Sequence, residues 1–600
     1  METILGIDLG TTNSEVAIVR DGRPVVLPDD DGDPILPSVV GLDSQGRLLV
    51  GRPARNQFVL APERTVNSIK RKMGEETTVT LGDQKYTPQE ISAIILRTLK
   101  QRAEKALGHE VKKAVITVPA FFNEGQRAAT REAGELAGLE VVRIINEPTA
   151  AVLTYDPHPP EMERLLVYDL GGGTFDVSIA QVEAGVVEIL ASHGDTHLGG
   201  DDFDQRLLDF VADRFLTEHG IDLRDMAIPR SRLLRAVEDA KKALSFEAFA
   251  PIEEEFITDK KGVPLHLKLE IDRSDYEDLI EPLLSKTLTC VDQSLEDAQL
   301  QANQIDKVLL VGGATRTPLV HRLLQERLGR PVHSEIEPDL AVALGAAVQG
   351  GLIAGVEVGP VLVDITPHTL GISTLGELNG LPSVHFLSAI IERNTALPAS
   401  RTEIFSTVSD GQKGADIRVF QGEYEDTRYN TLVGSVKIEG LAAVDAGNQI
   451  VVRLDLDLSG ILKVTATERL TGLSRRVTID NAMERFRTKQ RTNAVDRLEA
   501  IFGTAEDAPE MPRALALGAP QPAVVEIEDG LTPGERQAIQ AAHDLIVKAE
   551  RVLPTANAED AAELKALLAD LRAAIGNRAE DDITTIAAEV EDLVFYLEDQ

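Results

Sequence analysis

The sequence predicts a multidomain chain with an α/β region over 1–357, an all-β region over 367–480 and helical segments from 481 onward. Three observations carry this. The stretch LLVYDLGGGTFD (165–176) echoes ILGIDLGTTNS (4–14), so the first region contains a duplicated unit. Strand and helix signals alternate through that region, the mark of an α/β architecture. Near Val361 the texture changes to period-two alternation, and after 481 to helical periodicity.

Each duplicated unit is an apolar run, an Asp, a Leu and a Gly/Thr-rich turn. The run reads as a buried strand, Asp8 or Asp169 closes it, and the turn folds back as a hairpin with exposed amides. Amides in such a turn form a concave cradle for anionic oxygens, and glycine permits close approach. TPQEISAIILRTLKQRAEKAL (87–107) follows as an amphipathic helix, with Thr87 and Glu90 as a capping box and Pro88 in the first turn. AVITVPAFF (114–122) is a strand ended by Pro119, KVLLVGGATRTP (307–318) a strand and glycine turn, and PDLAVALGAAVQGGL (338–352) a small-residue helix. QIVVRLDLDL (449–458) places Leu454, Leu456 and Leu458 on one face and pairs as a hairpin with ILKVTATERL (461–470) across Ser459-Gly460. Residues 481–502 form an amphipathic helix, 503–530 an Ala/Pro/Gly-rich linker, and 531–600 a helical bundle beginning at Thr532 and Glu535.

Composition narrows the function. The formal charge of −37 argues against a nucleic-acid partner, since phosphate backbones demand basic surface. No apolar run approaches the ~20 residues needed to cross a bilayer. METILGIDLG enters a strand at once with no basic flank, so neither a membrane partner nor a signal peptide is expected. One cysteine, Cys290, excludes a disulfide framework and reads as a buried small hydrophobe. A cytoplasmic location is expected. Neither GxxxxGK[ST] nor a strand-linked GxGxxG occurs, which disfavours a P-loop and a dinucleotide fold. His193 and His197 stand four apart in a glycine-containing turn without an evident third ligand, so zinc is not expected there.

ILGIDLGTTNS, VPAFFNEGQR (118–127), RIINEPTAA (143–151), YDLGGGTFDVSI (168–179), HLGGDDFD (197–204), VGGATRTP (311–318), FSTVSDGQ (405–412) and FQGE (420–423) together resemble the heat-shock protein 70 (DnaK-type) chaperones over about residues 1–480. The segment between Lys70 and Val115 is similar to the shorter nucleotide domain of some bacterial members. The resemblance implies an actin-like (ribonuclease H-like, duplicated) ATPase domain, a linker over 358–366, a β-sandwich peptide-binding domain and a helical lid. It implies ATP/ADP and Mg2+, with K+ alongside. The implied partners are unfolded apolar peptides, a J-domain co-chaperone and a GrpE-type nucleotide-exchange factor.

Hydrolysis needs a metal on the phosphates, a positive charge near the γ-phosphate and an oriented water. By resemblance Asp8 and Asp169 hold hydrated magnesium, and Lys70 contacts the γ-phosphate and water. Glu147, Thr174 and Asp176 complete the catalytic set. Gly10, Thr11, Thr12 and Asn13 form one phosphate turn, Gly171, Gly172 and Gly173 the other, with Gly200 nearby. Adenosine is matched to Glu238, Lys241, Lys242, Ser245, Gly312, Gly313, Arg316 and Asp339. Acids at 201, 202 and 204 are read as favouring a helix N-terminus. Ile372, Thr374, Leu375, Phe405, Val408, Ala415, Ile417 and Ile461 match the peptide channel. Pro119 and Arg127 match an interdomain relay, Arg143 a J-domain contact, and Pro360, Leu362 and Asp364 the linker.

The chain departs from the family pattern in places. Lys242 stands where Arg is usual, which removes a flat stacking surface. Ala314 replaces Ser, and Ala415 and Val408 alter the peptide channel. The loop between Thr374 and Asn394 is longer than usual. Pro360 in GPVLVD (359–364) lacks an N–H, so linker docking is expected to differ and ATP–peptide coupling to weaken. Two other readings stay open. One is a regulatory or scaffold relative holding a dedicated partner; the other is a small-molecule kinase on the same fold, which leaves the all-β region without a role.

Overall fold

The computed structural model describes residues 2–155, 162–330, 332, 337–356, 358–479 and 494–502, with three isolated positions beyond. The chain forms two compact units, 1–508 and 509–600, and all but the isolated positions belong to the first. The segments read as a linker over 503–530 and a bundle over 531–600 lie outside the described residues, apart from the isolated positions 567, 568 and 590. So does the first part of the helix expected over 481–502; residues 494–502 are helical.

Two sheets of matching connectivity make up the α/β part. In the first, Ile4–Leu9, Asn13–Arg20 and Arg23–Val26 form an antiparallel meander, and Lys113–Val118 then Glu140–Asn146 add parallel to its opening strand. In the second, Glu163–Leu170, Phe175–Glu183 and Val186–Asp195 form the meander, and Lys307–Val311 adds parallel to its opening strand. Each DLG motif thus ends an opening strand and turns into a hairpin. Val361–Val363 extends the second sheet as a parallel edge strand on Val186–Glu188. Residues 361–363 of the segment read as an interdomain linker are therefore a strand. Pro360 does not block it, because the entering bond comes from Val361 N–H to the Gly185 carbonyl, one residue past the proline.

The small-residue helix spans Ala341–Ile353 and lies against the first two strands of the first sheet. Its composition is a packing requirement. A Cβ on Gly6 would stand 2.1 Å from Ala347 N, and one on Gly345 would stand 1.7 Å from Ala150 O. The helix Pro88–Leu107 carries the expected capping box: Thr87 N–H donates to Glu90 Oε2 at 2.8 Å, and Glu90 N–H donates to Thr87 Oγ1 at 3.3 Å. Thr87→Ala should cost about 1 kcal/mol in chemical denaturation of the α/β part.

Glu90 has a second role. Its Oε1 accepts from Arg497 of the 494–502 helix, while Phe502 stacks 4.3 Å from the Arg97 guanidinium carbon. Ala494, Leu498, Ile501 and Phe502 join the apolar core of the first sheet's layer.

The all-β part holds two four-stranded antiparallel sheets around one core. One runs Leu381–Ile391, Leu370–Leu378, Gly414–Gln421, Thr431–Glu439; the other Ala399–Ser406, Gln449–Leu456, Leu462–Glu468, Ser474–Ile479. Leu454 and Leu456 face the core, but Leu458 is 46% exposed because the strand ends at Leu456 and Leu458 falls in the turn. The segment read as a lengthened loop is instead a long hairpin. Asn379 (φ 52°) and Gly380 (φ 78°) supply the two left-handed positions of a tight turn between strands.

Candidate functional site

The two glycine turns meet at the floor of a cleft of about 990 Å³ between the sheets. They interlock: a Cβ on Gly172 would lie 1.9 Å from Thr12 Oγ1, and one on Gly199 would lie 2.5 Å from the Gly172 carbonyl. Gly200 N–H and Asp201 N–H donate to the carbonyls of Gly171 and Gly172 at 2.9 and 2.7 Å, which ties the second turn to the helix Gly200–His219. Gly10, Thr11, Thr12, Asn13, Gly171, Gly172, Thr174 and Gly200 all line the cleft, whereas Gly173 is not part of the lining and packs beside Thr11 and Arg71.

At the centre the buried ammonium of Lys70 pairs with the buried carboxylate of Glu147. Burial alone would pull Lys70 down, yet the Glu147 and Asp8 carboxylates hold its pKa above the ordinary value. Asp8 accepts from Thr117 Oγ1 at 2.8 Å, and burial raises it. Burial also pushes Glu147 up to about 7, and Asp169 well above the carboxylate range with Glu147, Asp176 and Asp8 adding to the effect. Asp169 Oδ2 is buried without a hydrogen-bond partner. One lysine thus faces several crowded carboxyls, a surplus of negative charge that a divalent cation would offset. Among the described residues no group of three or more His, Cys, Asp or Glu side chains is arranged to hold a metal ion directly. Asp176 is absent from the cleft lining; its Oδ1 accepts from Phe121 N–H at 3.0 Å, so it ties the turn after Pro119 to the second sheet.

The far end of the cleft collects Glu238, Lys241, Lys242, Ser245, Gly312, Gly313, Arg316 and Asp339. Glu238 Oε1 pairs with Arg55 Nη2 and Lys242 Nζ, both at 2.5 Å, and Arg316 pairs with Asp339 at 2.6 Å. Lys241 bonds Asp204 at 2.7 Å and the Gly200 carbonyl at 3.1 Å. Contacts that cross between the layers include Arg55–Glu238, Ser68 Oγ to Asp201 Oδ2 at 2.7 Å, and Arg71–Asp202 at 3.0 Å. Asp202 also closes the helix start by accepting from Gly199 N–H at 2.8 Å. The sequence reading missed Arg55, Ser68 and Arg71, whose partners lie more than a hundred residues away. It also missed Glu15, a buried acid on the cleft wall directly opposite Asp8 in register.

Other expected residues fall elsewhere. His193 Nε2 contacts Asp297 Oδ2 at 2.9 Å, and His197 Nδ1 contacts Thr196 Oγ1 at 3.0 Å, so the two rings serve different neighbours. Cys290 is half-buried beside the second sheet's core, and burial raises its thiol to about 11. Of the peptide set, Ile372 and Ile417 belong to the sandwich core, whereas Leu375 and Val408 are exposed. Phe405 and Ala415 pack at that core's edge, Ile461 is half-buried, and Thr374 Oγ1 donates to the Phe386 carbonyl at 3.4 Å. Pro119 is buried. Arg127 is buried too, donating to Asn146 Oδ1 at 2.5 Å and to the carbonyls of Ala120 and Phe122 at 3.0 and 3.2 Å. Asp364 accepts from Asn146 Nδ2, Thr149 Oγ1 and Ile365 N–H. Arg143, matched to a co-chaperone contact, is half-buried near Asp364 with its Nε unbonded. Leu362 packs against the core beneath the second sheet.

The model of the "Hsp70 protein" family matches residues 4–584. The chain belongs to the Hsp70 family. It is 48% identical over 479 residues to proteins named "Chaperone protein DnaK" from Thermotoga petrophila, Thermotoga maritima and Thermotoga neapolitana, covering 78% of this chain and 79% of each relative. As an Hsp70 it is an ATPase and an ATP-dependent molecular chaperone, and ATP or ADP with Mg2+ is the ligand set of this family. Among the described residues no helix is long and apolar enough to cross a membrane.

Proposed function

We propose that ATP turnover in the cleft controls how the all-β part holds an extended apolar segment of an unfolded protein. The buried Lys70–Glu147 pair between two interlocked phosphate turns is the observation that carries this reading. The proposed organisation is an actin-like ATPase domain over 1–357, a coupling segment over 358–366, a sandwich peptide-binding domain over 367–480, a helix over 481–502, a linker over 503–530 and a helical lid over 531–600. Asp8 and Asp169 would hold the hydrated Mg2+, with K+ nearby; the ion supplies charge to the β- and γ-phosphates when bound. Thr11, Thr12, Asn13 and Gly171 to Thr174 present amides and hydroxyls to phosphate oxygens. Lys70 places positive charge at the γ-phosphate, and Glu147 orients that ammonium and an attacking water. Glu238, Lys241, Lys242, Ser245 and Arg316 take the ribose and base. Leu375, Val408, Phe405 and Ala415 meet the peptide, a role that Ile372 and Ile417 would take up only if the core edge opens. A J-domain co-chaperone, a GrpE-type exchange factor and a cytoplasmic location complete the proposal.

The strand pairing of Val361–Val363 and the hydrogen bonds of Asp364 support a working connection between ATP and peptide despite Pro360. Release of a labelled apolar peptide from the preloaded protein should speed up about tenfold or more on adding ATP rather than ADP. Equal release rates with the two nucleotides would sink the proposal.

A further inference from the structure

The α/β part and the all-β part meet in a joint that includes several polar contacts. Two ionisable groups of opposite kind sit in it. His368, just before the strand Leu370–Leu378, lies 4.4 Å ring to ring from Phe121, and its Nε2 bonds the Phe121 carbonyl at 3.1 Å. That acceptor fixes the proton on Nε2. Nδ1 has no hydrogen-bond partner among the described residues. The charged groups around it are Arg127 of the helix Glu124–Leu136, His193 of the strand Val186–Asp195, and Glu423. Glu423 is already committed, accepting from Thr369 N–H and Thr369 Oγ1, both at 2.8 Å. His193 is committed to Asp297, which Arg393 and Asn394 reach from the all-β part at 2.7 and 2.8 Å. A second proton on His368 would be opposed by burial, the largest effect, and by Arg127 and His193, and favoured by the Glu423 carboxylate.

Glu124 presents the opposite case. Its backbone N–H donates to Gln421 Oε1 at 3.1 Å, and the turn 457–461 of the all-β part covers its side chain, with the Cβ position of Gly460 3.4 Å from Oε1. That turn brings Asp457, a like charge. The nearby cations are Arg127 and Arg131: Arg127 donates to Ala120, Phe122 and Asn146, and Arg131 to the Val141 carbonyl at 3.1 Å with its Nη2 unbonded, so neither bonds the Glu124 carboxylate. No side-chain hydrogen bond stabilises the Glu124 carboxylate among the described residues. Asp364 is a further acid of the joint, held by Asn146 and Thr149 with Arg127 and Arg143 nearby.

We propose that closing this joint sheds a proton from His368 and takes one up at Glu124, so the two groups set opposing pH dependences that offset each other near neutrality. Burial lowers His368 below its ordinary 6.5, so its contribution to closure is complete above 6.5 and is lost as pH falls through the lowered value. Burial raises Glu124 from 4.5 to about 7, so its contribution is complete below 4.5 and is lost as pH rises through about 7. The inference rests on the proposed control of the all-β part by ATP turnover, and takes that control to open and close this joint.

The test uses the full chain in a Cys290→Ser background with dyes on cysteines introduced at the exposed positions Glu218 and Glu439. Energy transfer gives the closure constant between pH 7 and 5.5, with ATP and with ADP. One proton changes such a constant by at most about tenfold per pH unit. In Glu124→Gln only the histidine limb remains, and closure should weaken roughly three- to tenfold on acidification. In His368→Gln, whose amide can still donate to Phe121, closure should strengthen by a similar factor. Wild type should change less than either, and the double variant should resemble wild type. His368→Leu repeats the second arm if the glutamine disturbs the contact. Single variants that track the wild-type profile overturn the inference. A dye distance that neither nucleotide moves overturns the opening itself, and this inference with it.

Discussion

Lys70→Ala is expected to cut single-turnover ATP hydrolysis by about 100- to 1000-fold, the range seen when one pre-organised charge or donor is removed from a reacting centre. Lys70 is the one ammonium beside the buried Asp8, Asp169 and Glu147 among the described residues, so nothing nearby replaces it. Its removal also leaves Glu147 buried without its ion-pair partner, a costly arrangement that protonation of the carboxyl relieves. Nucleotide binding should survive within about tenfold, because the phosphate turns and the adenosine end do not depend on this side chain. A fluorescent nucleotide titration beside the hydrolysis assay separates the two. Hydrolysis within about threefold of wild type would remove Lys70 from the reacting centre.

The second large effect is structural. Gly6→Ala and Gly345→Ala each drive a methyl into a neighbouring backbone, at 2.1 Å from Ala347 N and 1.7 Å from Ala150 O. Backbone cannot swing aside as a flexible side chain can, so the helix Ala341–Ile353 must separate from the strand Ile4–Leu9 or from the segment after Glu147. Each substitution should destabilise the α/β part by about 3 kcal/mol or more in denaturant unfolding. Gly350→Ala is the internal control. Its added methyl meets Ile4 at 3.2 Å or beyond, and alanine is the better helix former, so stability should stay within about 1 kcal/mol of wild type. Because Glu147 lies at the start of the helix that Gly345 contacts, the first two variants should also slow hydrolysis before they unfold the protein.

The duplicated DLG stretch was legible because each local pattern agrees with the sheet it builds: an apolar strand, a terminal acid, a turn. The capping box at Thr87 and Glu90 and the alternation at 449–456 were legible for the same reason, since short-range chemistry decides them. What escaped was set by distance. Arg55 means nothing until Glu238 is brought to it, and Glu15 reads as one more polar strand residue until its register partner proves to be Asp8. The hairpin at Asn379-Gly380 is a different failure. Its turn signal was present, but comparison with a shorter loop made the extra residues look irregular. Leu458 shows the limit of periodicity, which cannot tell where a strand stops. Pro360 removes no bond from the strand that follows it, because the entering donor is Val361 N–H.

The pairing of Val361–Val363 with Val186–Glu188 has a consequence for whatever state lacks it. If this segment lifts away, the outer row of amides and carbonyls on Val186–Glu188 is left bare beside Val186, itself 39% exposed already. Such a rim is an invitation to any extended chain, including a second copy of this one. A molecule that grasps sticky strands in others therefore keeps one of its own covered with its own connector, and uncovers it whenever that connector is called away.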